Sequence, residues 1–397
     1  MSESSIQRAE IGSSDELRAK KELEKHAIKK ARDVAEAGQT FDYILGVWQK
    51  RHTGDAPLGK ALLFSLGSQS VSNSKGIHVL ATGEGGYGKS DGIKQMGKLV
   101  HPSFWKNGGV TPQTLYYSGP DMPDSIIVGL EDVVWKSELG ASVKRITSDF
   151  QEGAMRLSTV DMKGAEVWTA KRIGFWGSCA DNEADEQLRD RFLMYCVIAD
   201  LERARIIIEH MEGQDEGDQL PDEYDFETLV CQALTHDLKT KLFHVMIPFA
   251  KRIKFEGDPR AYGIFSDMIK SSAVFRYMKR EEDGAGRLIA TEEDFENAKQ
   301  LYIELGGHDR DKYSDSEMSV LNAIVFNGTA TQADIQEIAG LSSGRVSDIL
   351  NGRGKEGHGL LYKCKDIIVV EGRPKKYKLS PSFNPTCKVS IELAEPA

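Results

Sequence analysis

The strongest constraint on the fold is the segment GEGGYGKS, which runs from Gly83 to Ser90 and fits the pattern G-x-x-x-x-G-K-[ST] in full. It follows an apolar run typical of a buried strand, GIHVLAT, and precedes a stretch typical of a helix, SDGIKQMGKLV. Glycines let the backbone turn so that successive N–H groups point at phosphate oxygens, and the positive end of the helix faces the same place. Strand, loop and helix in this order predict a phosphate-binding P-loop.

Within this loop, Lys89 is expected to reach the β and γ phosphates of ATP, and Ser90 is expected to hold Mg²⁺. ATP and Mg²⁺ are therefore the predicted ligands. The predicted nucleotide-binding residues are Gly83, Glu84, Gly85, Gly86, Tyr87, Gly88, Lys89 and Ser90.

Hydrolysis needs an acid at the end of a neighbouring strand, and the run SIIVGLED supplies Glu131 and Asp132 about 45 residues after the P-loop. One acid would organise Mg²⁺ through water, and the other would orient the attacking water. We assign Glu131 to the metal side together with Ser90. The other interpretation is a strand that ends in two acids without a catalytic role.

Two later segments contain further candidates. IGFWGSCADN ends a predicted strand in polar residues, so Ser178 or Asn182 could touch the γ-phosphate; either could also be a turn residue. EADEQLRDRF carries Arg189 and Arg191 near the start of another apolar strand. Such an arginine could reach a neighbour's ATP and stabilise transition-state charge, or it could form a surface salt bridge.

The composition is that of a water-soluble globular protein, with 40% apolar and 28% charged residues. The sequence has neither an apolar run of the roughly 20 residues that span a bilayer nor the apolar core of a signal peptide, so we expect a cytoplasmic protein without membrane contact. The five cysteines form no C-x-x-C pair, which predicts free thiols. The net charge of −10 argues against general coating of nucleic acid, although local basic patches can still bind it.

The order of the elements predicts an α/β fold of several parts. A charged helical arm over 1–38, which we expect to be solvated, precedes an α/β core over 39–212 with a mostly parallel sheet. An acidic loop and a helical lid follow over 213–306, and a separate helical unit with a hairpin spans 311–380. The last residues, 381–397, have the character of a frayed tail.

Several segments together resemble the AAA+ module of the MCM replicative helicases. The helix, loop, strand and P-loop order of that family is found in PLGKALLFSLGSQSVSNSKGIHVLATGEGGYGKS. The family's arginine-finger segment resembles QLRDRFLMYCVIADLERARIIIEHM, and its lid resembles DPRAYGIFSDMIKSSAVFRYMKR followed by TEEDFENAKQLY. The resemblance covers roughly residues 57–306.

The resemblance implies roles for three residues and an assembly. Arg191 would be the arginine finger, Arg260 the second sensor and Asn182 the first sensor. In MCM-like rings the finger and the second sensor act on ATP held by the neighbouring subunit, which implies a homo-oligomeric ring, usually a hexamer. Two departures matter: the acids are in the order Glu–Asp, and only about 55 residues precede the segment that resembles the family. We therefore expect the family's large N-terminal domain to be missing, as in a trimmed relative from a plasmid or virus.

Between the acids and the first-sensor segment, RLSTV and EVWTAK alternate as strands do, and DMKGA with Gly164 is typical of a turn. This predicts a hairpin with Lys163 at its tip. In MCM-like helicases a hairpin at this place enters the ring channel, and its lysine contacts the DNA backbone. A lysine suits that contact because it is a sequence-independent point charge, but a solvated lysine would give the same pattern.

The tail predicts a winged helix-turn-helix: three short helices, then two strands, with Gly340 in the turn and Ser342–Leu350 as the recognition-type helix. Residues 342–380 contain nine Lys or Arg and four Asp or Glu, a local charge of +5. The predicted phosphate contacts are Arg345, Arg353, Arg373, Lys375 and Lys376. The alternative is a module that docks protein.

These patterns favour an ATP-driven DNA helicase or translocase that acts in DNA replication, with DNA and further copies of the chain as partners and a primase or another replication protein as a candidate. Two other functions fit the same elements. One is an origin-binding initiator or helicase loader, which also joins an AAA+ core, a lid and a winged helix. The other is an ATP-switched DNA-binding regulator.

Overall fold

The structure is a computed structural model that describes residues 3–83, 86–131, 137–160, 163–179, 191–197, 201–215, 225–256, 258–305, 315–352, 359–364, 367–370, 372–380 and 391–395. The chain divides into two compact units. The first comprises Met1–Ile253, Asp258–Leu301 and Leu393–Ala397, and the second comprises Lys254–Gly257 and Tyr302–Glu392.

A parallel sheet of five described strands forms the centre of the first unit, in the spatial order β2-β3-β6-β1-β7. The strands are β1 (His78–Thr82), β2 (Trp105–Asn107), β3 (Ile127–Glu131), β6 (Gly174–Ser178) and β7 (Phe192–Cys196). The chain leaves β1 toward one edge and later returns to its other side at β7. The predicted parallel α/β sheet is therefore confirmed, and its topological switch point lies at β1.

Helices cover both faces of this sheet. Phe175 and Trp176 are consecutive on β6, so they point to opposite faces. Phe175 packs in a core with residues of α5 (Pro112–Tyr117) and α6 (Glu138–Ser148). Trp176 instead donates from Nε1 to Ser65 Oγ of α3 (Ala56–Ser68) at 2.9 Å, and α4 (Lys89–Leu99) also packs on the strands.

The hairpin stands apart from the central sheet as a two-stranded antiparallel ribbon of β4 (Met155–Val160) and β5 (Lys163–Trp168). The predicted DMKGA turn is wrong in detail. Gly164 pairs with Thr159 and Lys163 with Val160, so only 161–162, outside the described residues, link the strands. The antiparallel ladder includes three residues, 163–165, that the composition assigns to the turn. Lys163 remains next to the tip.

The N-terminal arm is a long helix, α1 (Glu3–Glu36), as the sequence predicts. The expectation of a wholly solvated arm is wrong, because Ala27, Ala31, Val34 and Ala35 are buried where α1 packs against α8 (Phe226–Lys239). These small side chains recur at helical spacing and allow close approach, a pattern that the many surrounding charges conceal. α2 (Thr40–Gln49) follows as predicted.

The helices predicted as the lid also belong to the first unit. α7 (Leu201–Asp215) and α8 precede β8 (Val245–Met246), α9 (Pro259–Phe275), β10 (Leu288–Ile289) and α10 (Glu292–Glu304). α9 lies close against α3, where Ser271 Oγ donates to the Phe64 carbonyl at 2.7 Å. The approach depends on Gly67, because a Cβ there would meet Ser271 Oγ at 2.3 Å.

The second unit contains α11 (Asp315–Asn327), β11 (Ala330–Thr331), α12 (Gln332–Ala339), α13 (Ser343–Asn351), α14 (Leu360–Lys363), β12 (Ile367–Val370) and β13 (Lys376–Leu379). Its strands form an antiparallel sheet in the order β11-β13-β12 beside one apolar core. The predicted order of three helices and a hairpin is present. Gly340, at φ +65, follows α12, and Ser342 caps α13 by accepting from the Arg345 amide. The residues GLLYK form a short helix rather than part of a strand.

The end of the chain is more ordered than the predicted frayed tail. β14 (Ile391–Leu393) pairs with β9 (Ile253–Phe255), and Ile391 is buried. Alternating apolar residues in this short strand explain the pairing. Across the described residues, every helix is too short or too polar to serve as a membrane span.

Candidate nucleotide-binding site

The predicted P-loop lies at the carboxyl end of β1, at the switch point of the sheet, where α/β proteins bind ligands. Its glycines have the backbone conformation that the motif needs: φ is +124° at Gly83, +88° at Gly86 and +84° at Gly88. A Cβ on Gly83 would meet the Val197 carbonyl at 2.6 Å, so only glycine fits there. This loop fits a phosphate chain of a nucleotide. Glu84 and Gly85 lie outside the described residues.

Lys89 is the first residue of α4 and is 8% exposed. Its Nζ donates to the Gly83 carbonyl at 2.5 Å, across the mouth of the loop. The ammonium group is thus already placed over the concave side of the P-loop, where phosphate oxygens would accept from it. Lys89 is one of the predicted catalytic residues that the structure places in the loop.

Ser90 follows on α4, and its Oγ lies 2.9 Å from Ser178 Oγ at the end of β6. The structure therefore brings the predicted Mg²⁺ ligand next to one of the two candidates for γ-phosphate contact. The other, Asn182, lies outside the described residues. In the described part of the chain, no group of three His, Cys, Asp or Glu side chains could hold a metal alone. Mg²⁺ often needs only one or two protein ligands in addition to phosphate and water, so a site at Ser90 fits.

Glu131 ends β3, and the strand register places it beside Ser178. Asn107 Nδ2 donates to Oε1 at 2.9 Å, and Lys94 Nζ lies 3.0 Å from Oε2. Partial burial would raise the pKa of Glu131, but the hydrogen bonds from Lys94 and Asn107 outweigh it and lower the pKa. The carboxylate is therefore ionised at neutral pH and held by these two side chains. Asp132 lies outside the described residues.

The strand geometry does not bring Arg191 to this chain's own P-loop. Arg191 precedes Phe192, which pairs with His78 at the amino end of the sheet, whereas the P-loop begins at Gly83 beyond its carboxyl end. Arg260 is in the first turn of α9 and is exposed. Its backbone N–H donates to Asp258, the cap of that helix, at 2.7 Å.

The predicted DNA contacts are placed on two separate features. Lys163 begins β5, and its side chain is not among the described ones. Two apolar side chains of the same hairpin are solvent-exposed, Leu157 at 72% and Trp168 at 45%. In the second unit, Arg345 lies in the first turn of α13, and Arg373, Lys375 and Lys376 lie around the start of β13; all four are exposed. Arg353 lies outside the described residues.

The sequence patterns did not identify the residues that contact the P-loop and the side chain of Glu131. Asn107 and Lys94 hold Glu131, and a charged group around Asp55 and Arg203 contacts the loop at Tyr87. Arg203 lies within the segment that resembles the arginine-finger region, and Lys94 is one helical turn after Ser90. Asp55 had no signal beyond its place before a helix.

The comparisons with known proteins agree with this geometry. A family model described as the MTBMA_p00010 P-loop domain matches residues 24–241, more than half of the chain. The matched region includes the P-loop, all five strands of the central sheet and the hairpin. A search of curated proteins found no match.

Proposed function

Because the chain belongs to the MTBMA_p00010 P-loop domain family and so has a nucleotide-triphosphatase core, we propose that it hydrolyses ATP to move along or unwind DNA, as a ring-forming motor of the MCM-like AAA+ type acting in replication. The observation that carries this proposal is the β4–β5 hairpin. It is inserted between the strand of the acid Glu131 and the strand of Ser178, yet pairs with neither. The chain therefore joins the hairpin, which can touch DNA, to the two strands that carry Glu131 and Ser178. A conformational change at the phosphate site can reach the hairpin through these connections.

The hydrolytic roles follow from the placement of the groups. Lys89 binds the β and γ phosphates. Ser90 together with Glu131 would hold Mg²⁺, which would supply positive charge to the phosphate oxygens. Ser178 donates its hydroxyl proton toward the γ-phosphate from beside Ser90. Asp132, next in the chain after Glu131, orients the attacking water, and Asn182 serves as the first sensor. Glu131 must first leave Lys94 and Asn107, so substrate competes with these contacts.

Sharing of sites between subunits is supported by the position of Arg191. It precedes the amino end of β7, so it lies at the opposite end of the sheet from the P-loop of its own chain. A heterologous contact, in which one face of a subunit meets a different face of the next, would bring it to a neighbour's phosphates and generate a closed ring. Arg260, exposed on the first turn of α9, acts in the same way as the second sensor.

The second unit and the β4–β5 hairpin have different roles on DNA. The second unit supplies affinity, because its exposed basic residues can bind phosphates and release condensed counterions. The hairpin supplies movement, because Lys163 adds only about one contact per subunit but is linked through β4 and β5 to the ATP site.

Lys163→Ala tests the hairpin. We expect DNA affinity to change little and strand displacement to fail, because the ATP-driven stroke no longer pushes on the strand. The matched control is Lys171→Ala, which removes an exposed lysine at the base of the same hairpin. If Lys163→Ala unwinds a forked duplex as fast as the control, the helicase proposal is wrong.

Neutralising basic residues of the second unit tests whether this unit binds DNA. In the triple variant Arg345→Gln, Lys375→Gln and Lys376→Gln, the pairing of β14 with β9 is kept, which a truncation after Gly307 would destroy. Duplex affinity should fall, and the slope of log K against log salt should flatten by up to roughly 0.9 per lost contact. The control replaces Lys21, Lys29 and Lys30, all exposed on α1, with glutamine. Equal salt slopes in the two variants would contradict DNA binding by the second unit.

The same basic unit favours a second candidate, an origin-binding initiator or helicase loader, since α13 and the start of β13 both expose basic residues. That function requires tight, ATP-dependent DNA binding without strand displacement. An ATP-switched regulator would in addition remain a single subunit on DNA. Strand displacement, followed by measurement of the particle mass on DNA with ATP, separates the three.

A further inference from the structure

Polar side chains form a connected group in contact with the P-loop, and two of its members, His52 and Asp55, are buried. The members come from four parts of the first unit: His52 and Asp55 between α2 and α3, Asp91 on α4, Tyr195 on β7 and Arg203 on α7. The proposed hydrolytic mechanism uses none of them. We call them the P-loop support group.

Asp55 is the centre of the P-loop support group, and its side chain is fully buried. Arg203 Nη1 donates to Asp55 Oδ1 at 2.6 Å, and Nη2 donates to Oδ2. Tyr195 donates its hydroxyl to the same carboxylate, and His52 Nε2 lies 2.8 Å from it. Burial would raise the pKa of Asp55, but the bonds from His52, Arg203 and Tyr195 lower it to about 2. The carboxylate is therefore a fixed negative charge to which three partners are tied.

The P-loop support group contacts the loop at two points. Arg203 Nη2 donates to the Tyr87 carbonyl at 2.8 Å, just before Gly88. On the other side, His52 Nδ1 lies 2.8 Å from Asp91 Oδ2, just after Ser90. The two contacts therefore bracket Gly88, Lys89 and Ser90, the residues that close the phosphate site.

The conformation between these contacts is one that needs support. Gly88 caps α4 in the left-handed region, at φ +84° and ψ 0°. A Cβ built on it would lie 3.1 Å from His52 Cε1, so the imidazole ring is packed directly against the loop. Arg203 keeps the Tyr87 carbonyl turned inward. Without it, the carbonyl oxygen could turn toward the phosphate oxygens and repel them.

We infer that His52, Asp55 and Arg203 are positioning residues that hold Gly88, Lys89 and Ser90 in the conformation that binds nucleotide phosphates. The inference rests on the proposed nucleotide hydrolysis at this loop. The residues act through the loop, so their effect is on phosphate affinity and on the geometry of Lys89.

The charges make this support dependent on pH. The charged groups around the His52 ring are Asp55 and Asp91 in direct contact, with Arg203 and Tyr195 bound to Asp55. Both ring nitrogens can donate only when the imidazole is protonated. Burial lowers the pKa of His52, but the bonds to Asp55 and Asp91 outweigh burial and raise it. Below the raised pKa, the His52 ring donates to both Asp55 and Asp91. As the pH rises through this pKa, His52 loses a proton and one of these two hydrogen bonds is lost.

The test measures the affinity of MgADP by calorimetry for the full chain and two variants. Arg203→Gln should weaken binding roughly 10- to 100-fold, the range for losing a hydrogen bond made by a charged group. Arg205→Gln is the matched control, since Arg205 lies on the same helix, is 80% exposed and forms an ion pair with Glu209 one turn along that helix. It should bind as the unmodified protein does. The fitted stoichiometry reports the folded fraction separately from affinity.

His52→Gln provides a second readout that mere loss of stability would not move. In the unmodified protein, kcat/KM for ATP should fall on the alkaline side as His52 loses its proton, and this part of the profile should be absent in His52→Gln. If the unmodified protein binds no MgADP or MgATP, the proposed function itself is wrong. If it binds, but Arg203→Gln binds as tightly as Arg205→Gln or the pH profile of His52→Gln is unchanged, the nucleotide site stands and the positioning inference is wrong.

Discussion

Mixing two inactive variants tests whether ATP sites are shared between subunits. Lys89→Ala removes the ammonium group that binds phosphate, and Arg191→Ala removes the proposed finger. Removal of an arginine finger slows phosphoryl transfer roughly 10³-fold or more, so each variant alone should be nearly inactive.

The expected recovery follows from the position of Arg191. Phe192 pairs with His78, and the P-loop begins five residues later at Gly83, about 16 Å along the sheet at about 3.3 Å per residue. Arg191 lies one residue further away and cannot serve its own loop. In a random equal mixture, a site is active when its P-loop subunit carries Lys89 and its neighbour carries Arg191. This holds at about one quarter of the interfaces of a ring with heterologous contacts.

The assay is steady-state ATP hydrolysis at fixed total protein after subunit exchange, with mixed particles confirmed by native mass spectrometry on isotope-labelled chains. Activity of about one quarter of the unmodified value is expected if the sites act independently. Recovery near zero in proven mixed particles would refute action of Arg191 across the interface. A particle that stays monomeric with ATP and DNA would refute the shared site altogether.

Three further outcomes are expected. Asp132→Asn should bind ATP but hydrolyse it slowly in a single-turnover assay, because water would lose its orienting carboxylate; unchanged turnover would place the catalytic acid elsewhere. Gly88→Ala should weaken MgADP binding more than the control Gly86→Ala, since both strain a positive φ but only the Cβ on Gly88 meets a side chain within 4 Å; equal calorimetric affinities would contradict this. Burial lowers the pKa of His78 to about 3, so the unfolded chain takes up a proton below its ordinary pKa of about 6.5 and stability falls with falling pH. Between pH 7.5 and pH 5.5, urea unfolding should show a loss smaller by about 1.4 kcal/mol in His78→Phe, and an identical loss would place a charged His78 in the folded state.

Local patterns were sufficient to predict the elements that carry the nucleotide site. The glycine spacing of the P-loop, the apolar run of β1 and the helix after Lys89 are read from one continuous segment, and the structure has all three. Alternation predicts the hairpin, but the sequence predicts too wide a turn because Gly164 has the character of a turn residue. Glycine also occurs within strands, and only the pairing of Gly164 with Thr159 decides between the two.

Contacts between distant segments could not be predicted in the same way. Asn107 and Glu131 are 24 residues apart, and Arg203 and Asp55 are 148 apart. Each pair meets only because parallel strands and their helices place separate segments at one edge of the sheet. The buried face of α1 is a related case, since Ala27 and Ala31 contribute little to hydrophobicity and become a packing surface only against α8.

The β4–β5 hairpin is a detachable module. Its first and last residues, Met155 and Trp168, are directly paired, so its two ends leave the body of the protein only about 5 Å apart. A short turn could bridge that gap without moving β3 or β6. Lineages could therefore exchange, lengthen or lose this arm while the nucleotide site stays intact, and an engineer could graft a different arm onto the same ATPase.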